Sequence, residues 1–320
     1  MVWMKALQIN GIANYSIIDM DEPIPQDTEV LVKIEIASTC PRWDINMMRG
    51  RDMIDTSRVP QYPLLPGQPG HEAAGVVCSI GKSVENLRIG DRVASLVHDQ
   101  NRQGAYAQYQ CFEAADLIKL PDSVSYKQAT SFELLKCVMF GLEQLDELKG
   151  STIAICGLGP AGILAMQIAK IWGATRVIGT DINDQRLAYV RSLNIGEVMH
   201  PSELTDHTIQ LGYECVGSAA ALQSLIEHPT IRHVVIFGVL RGETIFGEHL
   251  RRKAFKLEFY RPRIPVSQIK TWILEAMEKG LDTTCIQTHH IPFTRYRDAV
   301  ELLESQEAIK VNFYPQQDFD

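Results

Sequence analysis

TIAICGLGPAGILAMQIAKIW, residues 152–172, decides the fold. Its first five residues are an apolar, β-branched run of strand length, and from Pro160 the pattern has the length and spacing of a helix. Between them lies GxGxxG, made by Gly157, Gly159 and Gly162 with Leu158, Pro160 and Ala161 in the variable places. A glycine-rich turn from strand to helix lets the backbone approach a pyrophosphate, and the helix N-terminus offers N–H donors to it. A second strand, Thr175–Thr180, ends at Asp181, about 20 residues beyond Gly162, where a carboxylate accepts hydrogen bonds from ribose hydroxyls. Gly157, Gly159, Pro160, Ala161, Gly162, Asp181 and Ile182 are therefore the candidate dinucleotide-binding residues. A carboxylate at Asp181 repels a 2′-phosphate and Ile182 and Asn183 carry no cation, so NAD is favoured over NADP. Arg186 reads as a solvated residue of the following helix, Asp184–Leu193.

Outward from this turn, apolar strands at Tyr213–Val216 and His233–Gly238 alternate with helical segments, the pattern of βαβ units around a parallel sheet. Before about Lys127 the pattern is different. Short β-rich runs, Glu29–Ser38, Ala73–Ile80, Asp91–Val97 and Tyr106–Phe112, are punctuated by proline and glycine, as in a barrel or sandwich. After a helix at Gln268–Lys279 the chain again reads as β at Thr284–Phe293 and Ile309–Pro315, around a helix at Tyr296–Leu303. The fold class is thus α/β with a second, β-rich domain, which suits 320 residues.

Net charge is −8, so no global positive field holds nucleic acid or an anionic membrane. No apolar stretch approaches the roughly 20 residues of a bilayer span, and the N-terminus lacks a secretory pattern, so a cytoplasmic location is expected. Seven scattered cysteines do not form a disulfide framework, and the absence of any CxxC excludes a tetrathiolate structural zinc. The run Arg251–Arg263 holds six basic residues and one acid, read either as a solvated loop or as a docking patch for an anion or partner protein.

His71 and Glu72 adjoin ahead of the strand Ala73–Ile80, and Cys40 lies about thirty residues earlier. Imidazole, carboxylate and thiolate suit zinc, though each residue also reads as an ordinary buried side chain. The ordered set GHExxGxV (from Gly70), GDRV (Gly90–Val93), GxYA (Gly104–Ala107), GxGxxG and Asp181 resembles the medium-chain dehydrogenase/reductase superfamily, and most closely its zinc alcohol and polyol dehydrogenase branch. The resemblance covers essentially the whole chain. It implies a GroES-like catalytic domain of residues 1–133 and 283–320, with a Rossmann domain of residues 134–282 between them.

Carried over by residue, the resemblance makes His71 a zinc ligand and Glu72 its neighbouring carboxylate. Glu133, in Glu133-Leu134-Leu135, resembles the acid that polyol dehydrogenases place at a third metal position. Its alternative reading is a carboxylate stabilised by a helix N-terminus. The family's Cys-x-x-Asp is here Cys40-Pro41-Arg42-Trp43-Asp44, one residue longer. Either the loop bulges and Cys40 reaches the metal, or Cys40 is core and the site is metal-free. Trp43 and Asn46 stand where the family keeps its proton-relay hydroxyl and histidine. Asp44, Thr39 and His98 are the remaining candidates for that task, and Asp44 could also fix the tautomer of His71.

The expected function is interconversion of a secondary alcohol or polyol and its carbonyl, with NAD, one catalytic zinc and no structural zinc, and Asp44, Glu72 and His98 as the catalytic candidates. A metal-free quinone or enoyl reductase, or a non-catalytic dinucleotide-binding protein, are the alternatives. The expected partners are the small-molecule substrate and a second copy of the chain, in a homodimer or tetramer formed through an edge strand between Gly242 and Tyr260.

Overall fold

The structure is a computed structural model and describes residues 3–319 apart from Ile54, Thr56 and His98. Two compact units emerge. One runs to Leu134 and resumes at Thr283; the other is Leu135–Asp282.

The first unit begins with β1 (Trp3–Gly11), β2 (Asn14–Asp21) and β3 (Glu29–Ser38), followed by a short helix α1 (Pro41–Met48). Strands β4 (Glu72–Ile80), β5 (Arg92–Ser95), β6 (Tyr109–Glu113) and β7 (Leu117–Lys119) lead to α2 (Tyr126–Ala129) and the start of α3 (Phe132–Glu143). The second unit alternates β8 (Thr152–Cys156), α4 (Pro160–Ile171), β9 (Arg176–Thr180), α5 (Asp184–Ser192), β10 (Glu197–Met199), β11 (Leu211–Glu214), α6 (Ala219–Glu227), β12 (His233–Ile236), β13 (Lys256–Phe259) and α7 (Val266–Glu278). The tail adds β14 (His289–His290), α8 (Tyr296–Glu304) and β15 (Val311–Phe313) to the first unit.

In the first unit β3 is the hub. It pairs antiparallel with β4, β6 and β15, and most of its residues are buried without alternation, so both of its faces are covered. The tail is held by aromatic packing: Phe293 stacks on Phe313 at 4.3 Å and on Phe319 at 4.5 Å, with Tyr106 edge-on to Phe313 at 5.1 Å. Such pairs add to the large area each ring buries.

Two expectations about strands are corrected. Thr284–Phe293 is mostly a 3-10 turn, Thr284–Ile286, plus the two-residue β14. The side chain of Gln287 donates to the Lys127 carbonyl and accepts from Asn312, which competes with a regular ladder. Tyr106 precedes its strand and lies in a loop whose carbonyl accepts from Leu7 N–H.

The second unit is a six-stranded sheet in the order β10-β9-β8-β11-β12-β13, every pair parallel. Numbered along the chain this is 3-2-1-4-5-6, the doubly wound Rossmann order. The chain order of the strands reverses between β8 and β11. Ligands of such sheets bind outside the carboxyl ends of the strands at that reversal.

Candidate active site

Cys40 is the N-cap of α1, with Pro41 in the first turn, where a missing N–H costs nothing. Residues Pro41–Asp44 form the first turn of this helix. Asp44, fully buried, reaches back so that Oδ2 accepts from Cys40 N–H at 2.8 Å, while Oδ1 accepts from the hydroxyls of Tyr106 and Tyr296, each at 2.7 Å. Burial pushes the Asp44 carboxyl up to about 6, and the three donors pull against it.

This corrects the expectation that Asp44 fixes the tautomer of His71. His71 Nδ1 lies 2.8 Å from the Pro69 carbonyl oxygen. A carbonyl only accepts, so in the neutral ring Nδ1 carries the proton and Nε2 presents its lone pair. Nε2 lies 3.9 Å from Glu133 Oε2, on a carboxylate carried by the first turn of α3. Trp43 packs edge-on to the His71 ring, with centroids 6.1 Å apart.

One ligand atom each from Cys40, His71 and Glu72 lies within 4.8 Å of the others. Sequence reasoning missed the group beside them, Lys310. Its ammonium is fully buried and lies 2.5 Å from Glu72 Oε1, and it also donates to the Thr39 carbonyl. A lysine inside the apolar run Ile309–Pro315 was the available signal. Burial pushes the Glu72 carboxyl up to about 8, with Lys310 opposing. Packing around the Cys40 thiol, and then the charge of Glu72, raise it well above its ordinary range.

Glu72 Oε2 is buried and has no hydrogen-bond partner. An orphaned carboxylate oxygen beside a thiol and an imidazole lone pair fits a zinc ion in both donor type and charge. Of the relay candidates, Thr39 Oγ1 accepts from Val311 N–H at 2.9 Å; Asn46, in the place of the family's relay histidine, has Nδ2 3.4 Å from the Asp52 carbonyl. His98 lies outside the described residues.

In the second unit Gly157 has φ +93, a left-handed value that favours glycine. A Cβ on Gly162 would lie 1.9 Å from the Gly157 carbonyl oxygen, so the helix can approach the turn only without one. Gly159 caps α4 and Pro160 opens it. Asp181 accepts from Leu158 N–H at 2.8 Å and from Asn183 N–H at 3.0 Å, which ties the second strand to the turn. Ile182 is 80% exposed. Arg186 differs from expectation: it is partly buried and turned back on the glycine turn, donating to the Leu158 carbonyl at 3.2 Å. The carboxylate of Asp181 favours this placement.

The basic run also acquires a structure. Lys256 and Arg263 engage Glu258, Lys256 also meets Asp146, and Arg251 meets Glu248, so several of its cations already face acids.

A histidine, a thiol and a carboxylate gathered in one unit and a glycine-rich strand-to-helix turn in the other are the parts that a metal-assisted dehydrogenase needs. Comparison with known proteins agrees. The alcohol dehydrogenase GroES-like domain family matches residues 26–122, and the zinc-binding dehydrogenase family matches residues 160–257. The chain is 27% identical to L-threonine 3-dehydrogenase of Photorhabdus laumondii, covering 96% of this chain and 98% of that protein. It is 26% identical to alcohol dehydrogenase 2 of Solanum tuberosum, covering 91% of each. Similar solved structures include galactitol-1-phosphate dehydrogenase from Escherichia coli, with TM-score 0.83 and 19% identity over 98% of this chain and all of that one. Another is 2R,3R-butanediol dehydrogenase from Bacillus subtilis, with TM-score 0.82 and 21% identity over 98% and 99%. The chain belongs to the medium-chain dehydrogenase/reductase superfamily, among its zinc-type alcohol dehydrogenases.

Proposed function

We propose that the protein is an NAD-dependent dehydrogenase that interconverts a secondary alcohol or polyol and its carbonyl compound with the help of one catalytic zinc. The observation that carries this reading is the convergence of Cys40, His71 and Glu72 within 4.8 Å, with Glu133 beside His71. Cys40 and His71 would hold the metal, with Glu72 or Glu133 completing the protein set. When bound, zinc polarises the substrate oxygen and lowers its hydroxyl pKa, and the nicotinamide exchanges hydride with the substrate carbon.

The chain's own residues prepare that chemistry. The Pro69 carbonyl orients the His71 ring through Nδ1, so Nε2 is the atom that would bind the metal. Lys310 holds Glu72 by Oε1, so Oε2 is the atom directed to a ligand. Asp44, clamped by two tyrosines, fixes the backbone of Cys40 at the start of α1.

The backbone of Gly157, Gly159, Pro160, Ala161 and Gly162 would take the pyrophosphate at the N-terminus of α4, and Asp181 the adenosine ribose. Ile182 offers an exposed apolar surface to the adenine. Arg186, turned back on the glycine turn rather than solvated, is a cation close to the site and narrows the margin by which NAD is preferred. We also propose pairing of two copies through β13, the terminal strand of the parallel sheet, where Phe259 is 63% exposed.

Metal analysis of protein purified without chelator, with a screen of secondary alcohols and polyols against NAD, tests the reading. A metal-free protein that reduces quinones or enones would replace it with the reductase alternative, for which the Glu72–Lys310 pair already supplies local charge balance.

A further inference from the structure

At the opposite end of the parallel sheet from the glycine turn lies a recess of about 400 Å3 that the dehydrogenase reading does not use. It falls within the 300–1,000 Å3 range typical of small-molecule sites. Its buried floor is Leu142, Leu145 and Leu148, between the end of α3 and the start of β8. Its walls are two indoles. Trp172, the C-cap of α4, and Trp272, on α7, meet edge to face with centroids 5.2 Å apart. The rim carries Glu143, Glu275 and Lys279.

Charge and shape agree on the kind of occupant. Among the described residues neither Glu143 nor Glu275 forms an ion pair, and Glu143 Oε2 is buried without a hydrogen-bond partner. Two carboxylates against one lysine leave the rim net negative. Indole faces attract cations through their quadrupole, more strongly once the cation is desolvated. An apolar floor, aromatic walls and uncompensated acid together favour a cation whose charge is spread over alkyl groups, because such a cation is weakly hydrated and can bury its body against the leucines.

We propose that this recess is a binding site for a small organic cation of the quaternary ammonium type, independent of the dinucleotide site. Independence follows from the geometry. The recess sits at the Trp172 end of α4, and the glycine turn sits at its N-terminus, 12 residues away, or about 18 Å along the axis. Among the described residues the charged groups lining the recess are Glu143, Glu275 and Lys279, so their removal has predictable signs.

Calorimetric titration with benzyltrimethylammonium chloride, followed in parallel by tryptophan fluorescence, tests the site in the full-length protein. One probe is expected to bind per chain, and saturating NADH should leave its affinity unchanged. Glu143→Gln and Trp272→Leu should each weaken binding by about tenfold, the scale of one desolvated cation–aromatic or charge contact. Lys279→Gln should tighten it by about threefold through removal of like charge. Should Trp272→Leu unfold the chain, Trp272→Phe and the exposed Glu275→Gln carry the same test with smaller losses. No binding by the unaltered protein, an affinity indifferent to all of these substitutions, or competition with NADH would overturn the proposal.

Discussion

Replacing Lys310 by methionine should weaken the fold in a pH-dependent way, because the substitution strands a buried carboxyl. Lys310 and Glu72 are both 0% exposed, with Nζ 2.5 Å from Oε1. Removing one member of such a pair costs about 3–5 kcal/mol. Methionine fills a similar volume, so lost packing adds little. Burial already holds the Glu72 carboxyl at about 8 against an ordinary 4.5, and Lys310 is what pulls it down, so the variant's value rises further. A carboxyl whose folded pKa exceeds its unfolded value opposes folding when ionised. The deficit is therefore full above the folded pKa and fades as pH falls toward the unfolded one. Urea denaturation of metal-stripped protein, followed by circular dichroism, should give a loss near the full about 3–5 kcal/mol at pH 9 and about 1–2 kcal/mol at pH 5. Glu72→Gln in the same background should flatten that dependence. A loss below about 1 kcal/mol at pH 9, or one that neither acid nor Glu72→Gln relieves, would refute the reasoning.

Gly162→Ala puts a Cβ 1.9 Å from the Gly157 carbonyl oxygen, so the turn must open, and NADH affinity by fluorescence titration should fall by more than about tenfold with helical content retained. The unaltered protein should bind NADH more tightly than NADPH, and Asp181→Ser should reverse or erase that order because Arg186 is then left unopposed beside the ribose; tighter NADPH binding before mutation contradicts it. Phe259→Asp on the terminal strand should convert a dimer to the 35.9 kDa chain in light scattering, whereas a monomer before mutation removes the pairing proposal.

What was legible in the sequence was whatever a local pattern dictates. The strand-turn-helix at residues 152–172 specifies its own geometry, since φ at Gly157 and the close approach at Gly162 are demands on single residues. His71 and Glu72 were legible as neighbours on entry to β4. Less visible was anything assembled from distant segments. The partners of Asp44 come from Tyr106 and Tyr296, 62 and 252 residues along the chain, and no spacing rule joins them. Lys310 reaches Glu72 across 238 residues and looked like one polar residue in a strand. The extra residue in Cys40-Pro41-Arg42-Trp43-Asp44 could not be placed from spacing alone; the structure puts Pro41 at the start of a helix and ties Cys40 N–H to Asp44. Arg186 shows the converse: its spacing fits a solvated helix residue as well as a cation swung toward a phosphate, and only the structure shows it turned back on the glycine turn.

The most direct test of the account is zinc content per chain in protein purified without chelator, compared with His71→Ala and Cys40→Ala. The account predicts one zinc per chain, lost in both variants along with alcohol oxidation, and restored in neither by added zinc at micromolar levels. Zinc kept by Cys40→Ala but lost from His71→Ala would remove Cys40 from the ligands and leave the site to His71, Glu72 and Glu133. A metal-free protein that still turns over its substrate would contradict the zinc mechanism outright.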